Sequence, residues 1–357
     1  MAFSSPKLST LSKTALVAAT AAAILLASGC AGRDSSGDSG SKGTKVESIA
    51  IVTPEKESDH GWNQQGLWAA QEVADKLNLK LDENSNVGYD NSETILTQVA
   101  ESGADLVIAH ASGFATAGKR VGETTGVPTL VVDVPSNVPG KVATILTEAQ
   151  EGAYLAGVAA AHSTQTNKIG IVASAENANW FAMSSGFAEG VYSVNPDIEI
   201  EIAYIGPAEY ADAAGGARVA NQVIATGADI IFGMGDGATV GYLQAVENAN
   251  KSYPVRYIAT IGDVSPIDPQ HVTLTSVLWS FEGAYADAVA DIENGTFGTK
   301  TYTLTVQNNG LKLQDENDLN SQALAAVEKA RAGIIDGTVK VTKASSKEQV
   351  QKVIDQK

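Results

Sequence analysis

The alternation of short apolar segments with helical segments is the feature that most constrains how this chain folds. Alternation of this kind is typical of parallel sheets with helices on both faces, so the fold class is predicted to be α/β. The predicted strands cover residues 49–52, 106–109, 129–132, 142–146, 169–172, 200–204, 230–232, 256–261 and 272–278. The predicted helices cover residues 66–77, 92–101, 114–125, 148–162, 184–194, 213–226, 240–250 and 319–332.

A short internal sequence similarity indicates two similar α/β lobes. Residues 99–108 resemble residues 223–232, each with a helix end, a glycine and a buried strand, although independent use of a common helix-capping solution is the alternative. The first lobe is predicted to comprise residues 46–148 and 277–296, because the strand at 272–278 is expected to cross back to it. The second lobe is assigned residues 149–276 and 297–342, and residues 343–357 form a loosely attached helical tail. Two lobes joined by crossing segments can close like a hinge.

The N-terminus is predicted to direct export and anchoring. Lys7 and Lys13 precede an apolar stretch at 15–26, which is too short to span a bilayer, and Cys30 is the single cysteine of the chain. Small residues directly before this cysteine resemble a bacterial lipoprotein signal, which implies that residues 1–30 form the signal peptide and lipid-attachment box and that Cys30 carries lipid as the mature N-terminus. An ordinary secretory signal is the alternative. Residues 31–45 are rich in Gly, Ser and Asp and are predicted to be a flexible tether to the membrane.

The chain is acidic. Its 357 residues are enough for two domains, and a net charge of −17 argues against nucleic acid or an anionic membrane as the main partner.

The loop after the first strand is the strongest candidate for a ligand site. In α/β sheets, ligands bind beyond the carboxyl ends of the strands, and Asp59, Trp62 and Asn63 lie at that place. They offer an acceptor, a flat apolar face and an amide. The alternative is an exposed loop with Trp62 packed on its own helix.

Other motifs do not point to catalysis. Residues 233–238 match the G-x-G-x-x-G/A dinucleotide pattern formally, but their glycines equally let the backbone approach any ligand. Asp59, Asp236 and Asp263 follow strands and suit a hydrolase pair, hydrogen-bond acceptors or turn caps. The four histidines are scattered without metal-ligand or catalytic spacing. No cofactor and no metal are therefore predicted.

Aromatic residues make up 6% of the chain, yet several fall in loops after strands. Rings that face each other across a cleft stack on a flat ligand, although core packing is the alternative for each. These residues are Trp62, Phe114, Trp180, Tyr210 and Trp279.

Several segments in order resemble the basic membrane protein family, the lipid-anchored substrate-binding proteins that include purine nucleoside receptors of ABC transporters. The resemblance covers about residues 46–342. The segments that carry it are 59–63, 103–105 with 112–114, 151–157, 169–172 with 186–190, 210–212, 262–263 with 275–276, and 335–339.

The resemblance implies a Venus flytrap of the type I periplasmic-binding-protein class, with each lobe a parallel sheet flanked by helices. Trp62 and Tyr210 would stack on a base, while Asp59 and Asn63 would meet its edge and Asp263 would accept from a ribose. Trp279 stands where the family usually has a lysine, which leaves ribose recognition open and suits a larger or more apolar flat ligand. The predicted ligand-binding residues are Asp59, Trp62, Asn63, Ser112, Gly113, Phe114, Trp180, Tyr210, Gly235, Asp236, Asp263 and Trp279.

The resulting hypothesis is an extracytoplasmic, membrane-anchored solute-binding protein without catalysis. Its predicted partners are a nucleoside-like ligand and an ABC permease. One alternative is a protein of the same shape that binds a sugar or an autoinducer, and another is an exported nucleoside hydrolase that uses Asp59 and Asp263. A transcriptional regulator is disfavoured, because a signal peptide stands where a DNA-binding helix pair would be.

Overall fold

A computed structural model describes residues 43–314 and 318–356. The predicted signal peptide, Cys30 and nearly all of the predicted tether lie outside these residues. Two six-stranded sheets organise the described chain. Among the described residues, no helix combines the length and the apolar character that crossing a membrane requires.

The first sheet forms the first lobe and has the strand order β11-β5-β4-β3-β1-β2. All of its strand pairs are parallel. Its strands are β1 (Ser48–Val52), β2 (Lys80–Asn84), β3 (Leu106–Ala109), β4 (Thr129–Val132), β5 (Val142–Thr147) and β11 (Tyr302–Leu304). Its helices are α1 (Trp62–Leu77), α2 (Ser92–Glu101), α3 (Ala115–Thr125) and α8 (Glu282–Glu293).

The second sheet forms the second lobe and has the order β12-β10-β9-β8-β6-β7. It is parallel except for its edge strand β12, which runs antiparallel to β10. Its strands are β6 (Lys168–Ala173), β7 (Glu199–Tyr204), β8 (Ile230–Met234), β9 (Arg256–Ile261), β10 (Thr273–Trp279) and β12 (Leu311–Gln314). Its helices are α4 (Ala149–Ser163), α5 (Ala178–Val194), α6 (Ala213–Ala225), α7 (Thr239–Asn250), α9 (Ser321–Asp336) and α10 (Lys347–Asp355).

These sheets confirm the predicted fold class, two mostly parallel α/β sheets flanked by helices. Their central strands are continuous buried apolar runs, as β3 (Leu106–Ala109) and β8 (Ile230–Met234) illustrate, because helices cover both faces. The chain crosses between the lobes three times, after β5, after β10 and between β11 and β12.

The assignment of the late strands to the lobes was wrong in two places. β10 was predicted to cross back to the first sheet, but it pairs with β9 and β12 in the second. Residues 297–342 were assigned to the second lobe, but β11 pairs with β5 in the first sheet. The chain therefore returns to the second lobe between residues 304 and 311, later than predicted. The register of short strands at sheet edges leaves little signal in the sequence.

The two helices that begin the second lobe, α4 and α5, pack unusually closely because glycines face the partner backbone. A Cβ atom on Gly157 would lie 2.1 Å from the carbonyl oxygen of Phe187, and one on Gly190 would lie 2.2 Å from that of Tyr154. Any side chain at these two positions would force the helices apart. Gly152, the other glycine of the segment at 151–157, faces strand β10 instead, where a Cβ atom would lie 2.6 Å from Val277 Cγ1.

The C-terminal segment is docked on the second lobe, in contrast to the loosely attached tail that we predicted. Val350 and Ile354 of α10 are buried against α5. The hydroxyl of Tyr192 on α5 donates to the carbonyl oxygen of Ile354 at 3.1 Å. Apolar burial on one face of α10 therefore fixes the end of the described chain.

Candidate functional site

A cavity of about 580 Å³ lies between the lobes, at the carboxyl ends of strands from both sheets. From the first lobe it is lined by Pro54, Glu55, Trp62, Asn63, Tyr89, Ala111, Ser112, Gly113, Asp133, Val134, Leu146 and Thr147. From the second lobe it is lined by Asn177, Ala178, Asn179, Trp180, Ala208, Tyr210, Asp236 and Lys343. Its size is that of an ordinary small-molecule site.

Trp62, at the first position of α1, is held by a reciprocal pair of hydrogen bonds with His110. The indole Nε1 donates to the carbonyl oxygen of His110 at 3.0 Å, and His110 Nε2 lies 3.0 Å from the carbonyl oxygen of Trp62. Their rings stack at 4.7 Å and 21°. Because a carbonyl only accepts, Nε2 carries the proton and Nδ1 accepts from the hydroxyl of Tyr285 at 2.8 Å. Burial lowers the pKa of His110 to about 4, so the ring is neutral at physiological pH.

Two aromatic side chains approach the cavity from the second lobe. Tyr210 follows β7, and its hydroxyl accepts a hydrogen bond from Asn177 Nδ2 at 3.0 Å. Trp180, in the first turn of α5, meets Tyr210 edge-on at 6.4 Å and donates its Nε1 proton to Ser174 Oγ at 3.2 Å. Asn177 also caps α5 by accepting from the backbone of Trp180 at 2.9 Å. Rings from both lobes therefore share one cavity, including the predicted pair Trp62 and Tyr210.

Three carboxyl groups line the same cavity, those of Glu55, Asp133 and Asp236. Asp236, in the turn after β8, accepts a hydrogen bond from the backbone N–H of Trp62 at 3.1 Å, across the gap between the lobes. Asp133 accepts from Ser112 Oγ and, from the opposite lobe, from Asn179 Nδ2 at 3.2 Å.

Burial raises the pKa of all three carboxyl groups. The neighbouring Asp59 raises the pKa of Glu55 and Asp236 further, and the shift is large for Asp236. The cavity wall thus carries three carboxyl groups whose neutral form is favoured by burial.

Backbone strain concentrates at the strand ends around the cavity. His60, Asp133, Asp236 and Ile261 have φ angles of 55°, 65°, 48° and 69°. Positive φ is rare outside glycine and most costly for a β-branched residue such as Ile261. Clustering of such residues is typical of binding sites.

The structure places seven of the predicted site residues at the cavity. They are Trp62, Asn63, Ser112, Gly113, Trp180, Tyr210 and Asp236.

Asp59 does not line the cavity. It is 6% exposed, and its carboxylate accepts from the backbone of Gly61, Asn63 and Gln64 and from Asn63 Nδ2. It therefore shapes the loop that presents Trp62 and Asn63, a capping role.

Phe114 and Gly235 lie behind the cavity wall. Phe114 is fully buried in the first lobe, 5.7 Å from the ring of Tyr89. A Cβ atom on Gly235 would lie 2.7 Å from the backbone nitrogen of Thr239, so this glycine allows a tight turn. Both residues support the wall without lining it.

Asp263 and Trp279 are also absent from the wall. Asp263 accepts from the backbone and the hydroxyl of Ser265 at 2.8 and 2.6 Å and caps a short turn. Trp279 is 1% exposed and meets Trp62 edge-on at 5.8 Å. Trp279 thus packs behind Trp62 in the protein interior. The lysine that the family usually has at this position was instead expected to reach a ligand.

Several lining residues were missed by the sequence analysis. Tyr89 follows β2, a polar edge strand that we did not predict, and Asp133 follows β4 in an apolar context that gave no functional signal. Asn177 and Asn179 lie before the helix predicted at 184–194, whereas α5 begins already at Ala178. Lys343 lies in the segment that we interpreted as a loose tail, 195 residues from Glu148, which it contacts.

The comparisons with known proteins agree with this architecture. Residues 46–345 match the family model of Bmp, ABC transporter substrate-binding protein PnrA-like. A solute-binding protein of an ABC transporter system from Aeropyrum pernix K1 has a similar structure, with a TM-score of 0.75 and 20% identity over 86% of this chain and 96% of that one.

Two curated relatives are similar in sequence. The "CD4+ T-cell-stimulating antigen" of Listeria innocua is 32% identical over 205 residues, which cover 54% of this chain and 57% of that protein. The "ABC transporter nucleoside-binding protein BmpA" of Lactococcus lactis is 26% identical over 349 residues, 92% of this chain and 97% of that protein. The family match covers most of the described residues, and the chain therefore belongs to the Bmp family of PnrA-like ABC transporter substrate-binding proteins.

Proposed function

We propose that this chain is the lipid-anchored, extracytoplasmic binding component of an ABC importer and that its ligand is a purine nucleoside or a similar flat molecule. The observation that carries the proposal is the shared cavity, to which Trp62 and Tyr89 contribute from the first lobe and Trp180 and Tyr210 from the second. Stacking on an aromatic ring contributes roughly 1–3 kcal/mol per base. Rings on both lobes let one planar ligand contact both lobes at once.

Contacts between the lobes support closure around a ligand. Asp236 accepts from the backbone of Trp62, and Asn179 donates to Asp133, so each lobe hydrogen-bonds the other at the cavity. A ligand shifts the lobes toward the closed form only if it binds that form more tightly. In this mechanism the closed, liganded protein docks on the permease, and the ligand leaves unchanged.

The nucleoside is the leading ligand for two reasons. The cavity volume of about 580 Å³ accommodates a base with its sugar. The relative from Lactococcus lactis, which matches nearly the whole chain, is named a nucleoside-binding protein.

Calorimetric titration of the purified protein with a panel of nucleosides tests the ligand class. We expect saturable heat with at least one purine nucleoside, and the absence of heat with every nucleoside would exclude the class. Chromatography of the recovered ligand separates a binding protein from a hydrolase. Release of free base would contradict the proposed absence of catalysis.

The proposed anchor is tested separately at Cys30. Mass spectrometry of protein from membranes should find a diacylated Cys30 at the mature N-terminus, since two acyl chains anchor stably. A Cys30→Ala variant should appear in the soluble extracytoplasmic fraction. Recovery of unmodified wild-type protein from that fraction would contradict the anchor.

A further inference from the structure

The hydrogen-bond acceptors of the cavity wall are largely unengaged. The side-chain carboxylate of Glu55 accepts no hydrogen bond from any residue in the described ranges, and that of Asp236 accepts only one, from the backbone of Trp62. Asn63 is 4% exposed, and its Nδ2 donates to Asp59 at 2.7 Å. Its Oδ1 has no partner among the described residues. A buried acceptor without a partner costs about 1–3 kcal/mol, so a ligand that supplies donors here binds favourably.

The nitrogen donors of the wall, in contrast, are engaged, whereas the hydroxyls of Tyr89 and Tyr210 donate to no acceptor among the described residues. Each indole N–H donates to a protein oxygen, that of Trp62 to His110 and that of Trp180 to Ser174. The amide nitrogens of Asn177 and Asn179 donate to Tyr210 and Asp133. A ligand carbonyl at these places would have to displace an existing bond.

The wall also carries an excess of carboxyl groups over cations. Glu55, Asp133 and Asp236 face the cavity, and Lys343 is the one cationic residue among the described lining residues. Lys343 is directed to the first crossing segment, where it donates to the carbonyl oxygen of Thr147 at 2.9 Å and pairs with Glu148 at 3.1 Å. Its charge is thus shared with Glu148 and leaves the carboxyl groups of the cavity without a full counter-charge.

We propose, on the basis of the function proposed above, that the cavity selects a flat heteroaromatic ligand whose polar edge presents N–H donors or a protonated ring nitrogen. Among nucleosides, amino-substituted bases are preferred over the corresponding keto bases. Aromatic faces strengthen the preference because a cation over such a ring is stabilised by about 0.5–2 kcal/mol. Among the described residues, no group of three or more acidic, histidine or cysteine side chains is arranged to hold a metal ion.

Binding of such a ligand is coupled to protons. Burial raises the pKa of Glu55, Asp133 and Asp236. Repulsion from the carboxylate of Asp59 raises the pKa of Glu55 and Asp236 further. The other titratable side chains that line the cavity are Lys343, whose charge favours ionised Asp133, and Tyr89 and Tyr210.

A donor-bearing ligand favours the carboxylate form, so its binding releases protons and strengthens as the pH rises. A keto oxygen placed against one of these carboxyl groups needs that carboxyl to be protonated, so its binding there takes protons up.

Two matched ligand pairs test the preference on the purified full-length protein. Adenosine and inosine differ at position 6 of the purine, amino against keto, and cytidine and uridine differ at position 4 of the pyrimidine. 4-Aminopyridine serves as a planar cation without a sugar. Titration calorimetry in buffers of different ionisation enthalpy gives both the Kd and the protons exchanged. We expect the amino member of each pair to bind at least tenfold more tightly, with proton release.

Glu55→Gln is the informative variant, because this side chain has no hydrogen-bond partner in the described chain whose loss would disturb the fold. We expect it to reduce the preference for the amino member several-fold and to reduce proton release. Glu57→Gln is the matched control, since Glu57 is an exposed carboxylate on the same loop outside the cavity and should leave both quantities unchanged.

The outcomes separate this inference from the proposed function. Equal or tighter binding of inosine and uridine, with proton uptake, would overturn the inference and leave a nucleoside-binding protein. Binding of 4-aminopyridine without any nucleoside would support the inference and overturn the nucleoside assignment. No binding by any of the five compounds would overturn both.

Discussion

Asp236 Oδ1 accepts a hydrogen bond from the backbone N–H of Trp62 at 3.1 Å, and the two residues belong to opposite lobes. The bond places a carboxylate at the N-terminus of α1, where the helix dipole favours negative charge. Burial and the charge of Asp59 nevertheless raise the pKa of Asp236 well above its usual value. The ligand-free protein therefore holds a carboxylate that is unfavourable at neutral pH.

We expect Asp236→Asn to stabilise the protein measurably at pH 7.5, because the neutral amide carries no buried charge to desolvate. A carboxyl whose pKa is raised on folding contributes most at low pH, and that contribution is lost as the pH rises through the folded pKa. The difference in the free energy of unfolding between the variant and wild type should therefore vanish near pH 4, as measured by urea denaturation. Asp197→Asn, at an exposed carboxylate of the same lobe, is the control. A variant that is destabilised at pH 7.5 would show that the charge itself holds the lobes.

We expect the burial of His110 to lower the free energy of unfolding as the pH falls. Its pKa is lowered to about 4 in the folded state and is near 6.5 when unfolded, so the unfolded protein binds more protons between these values. Stability is then full above pH 6.5 and is lost as the pH falls toward 4, by about 3 kcal/mol.

The contribution of His110 is isolated by comparing wild type and His110→Gln in chemical denaturation from pH 7 to pH 4. We expect the variant to be less stable at pH 7 and the difference to shrink toward pH 4. His162→Gln, at a half-buried histidine of α4, controls for a general effect of histidine loss. A difference that stays constant with pH would contradict the neutral tautomer described above.

Trp62 should dominate ligand affinity from the first lobe. We expect Trp62→Ala to weaken binding by roughly 1–3 kcal/mol, or about five- to 150-fold in Kd, because the stacking face is lost. Trp68→Ala provides the matched control, since Trp68 lies on the same helix but is 51% exposed and outside the cavity. Calorimetric titration measures both, and equal losses in the two variants would indicate a non-specific effect.

The close contact of α4 and α5 gives a prediction about folding stability. Gly157→Ala places a Cβ atom 2.1 Å from the carbonyl oxygen of Phe187 and should destabilise the protein by several kcal/mol. Gly283→Ala in α8 meets no atom within 4 Å and should stabilise it by about 0.5–1 kcal/mol. Thermal denaturation of the two variants checks the signs. Tolerance of alanine at Gly157 would contradict the helix contact.

The sequence predicts much of this fold because the buried parallel strands leave a strong signal. Runs such as Leu106–Ala109 and Ile230–Met234 are apolar on both faces, and the helices between them carry clear periodicity. β2 (Lys80–Asn84) escaped detection because it is a polar, largely exposed edge strand. β11 and β12 span only three and four residues, so their sheet assignment depends on tertiary pairing.

The site was less predictable than the fold, because sequence position does not determine which way a side chain points. Trp279 ends a strand beside the cavity but packs behind Trp62, and Asp59 turns back to bond its own loop. Lys343 reaches the cavity from a segment that is close only after folding. Trp62 and Tyr210 were predictable because each follows a strand and corresponds to the stacking pair that the family resemblance implies, whereas Phe114, also after a strand, is buried in the core.

The account rests on a planar ligand held between rings of the two lobes. A crystal structure of the protein with its bound ligand tests this most directly. We predict density for a flat molecule between Trp62 and Tyr210, within hydrogen-bond distance of Glu55 or Asp236. A ligand bound outside this cavity, or one that contacts a single lobe, would contradict the account.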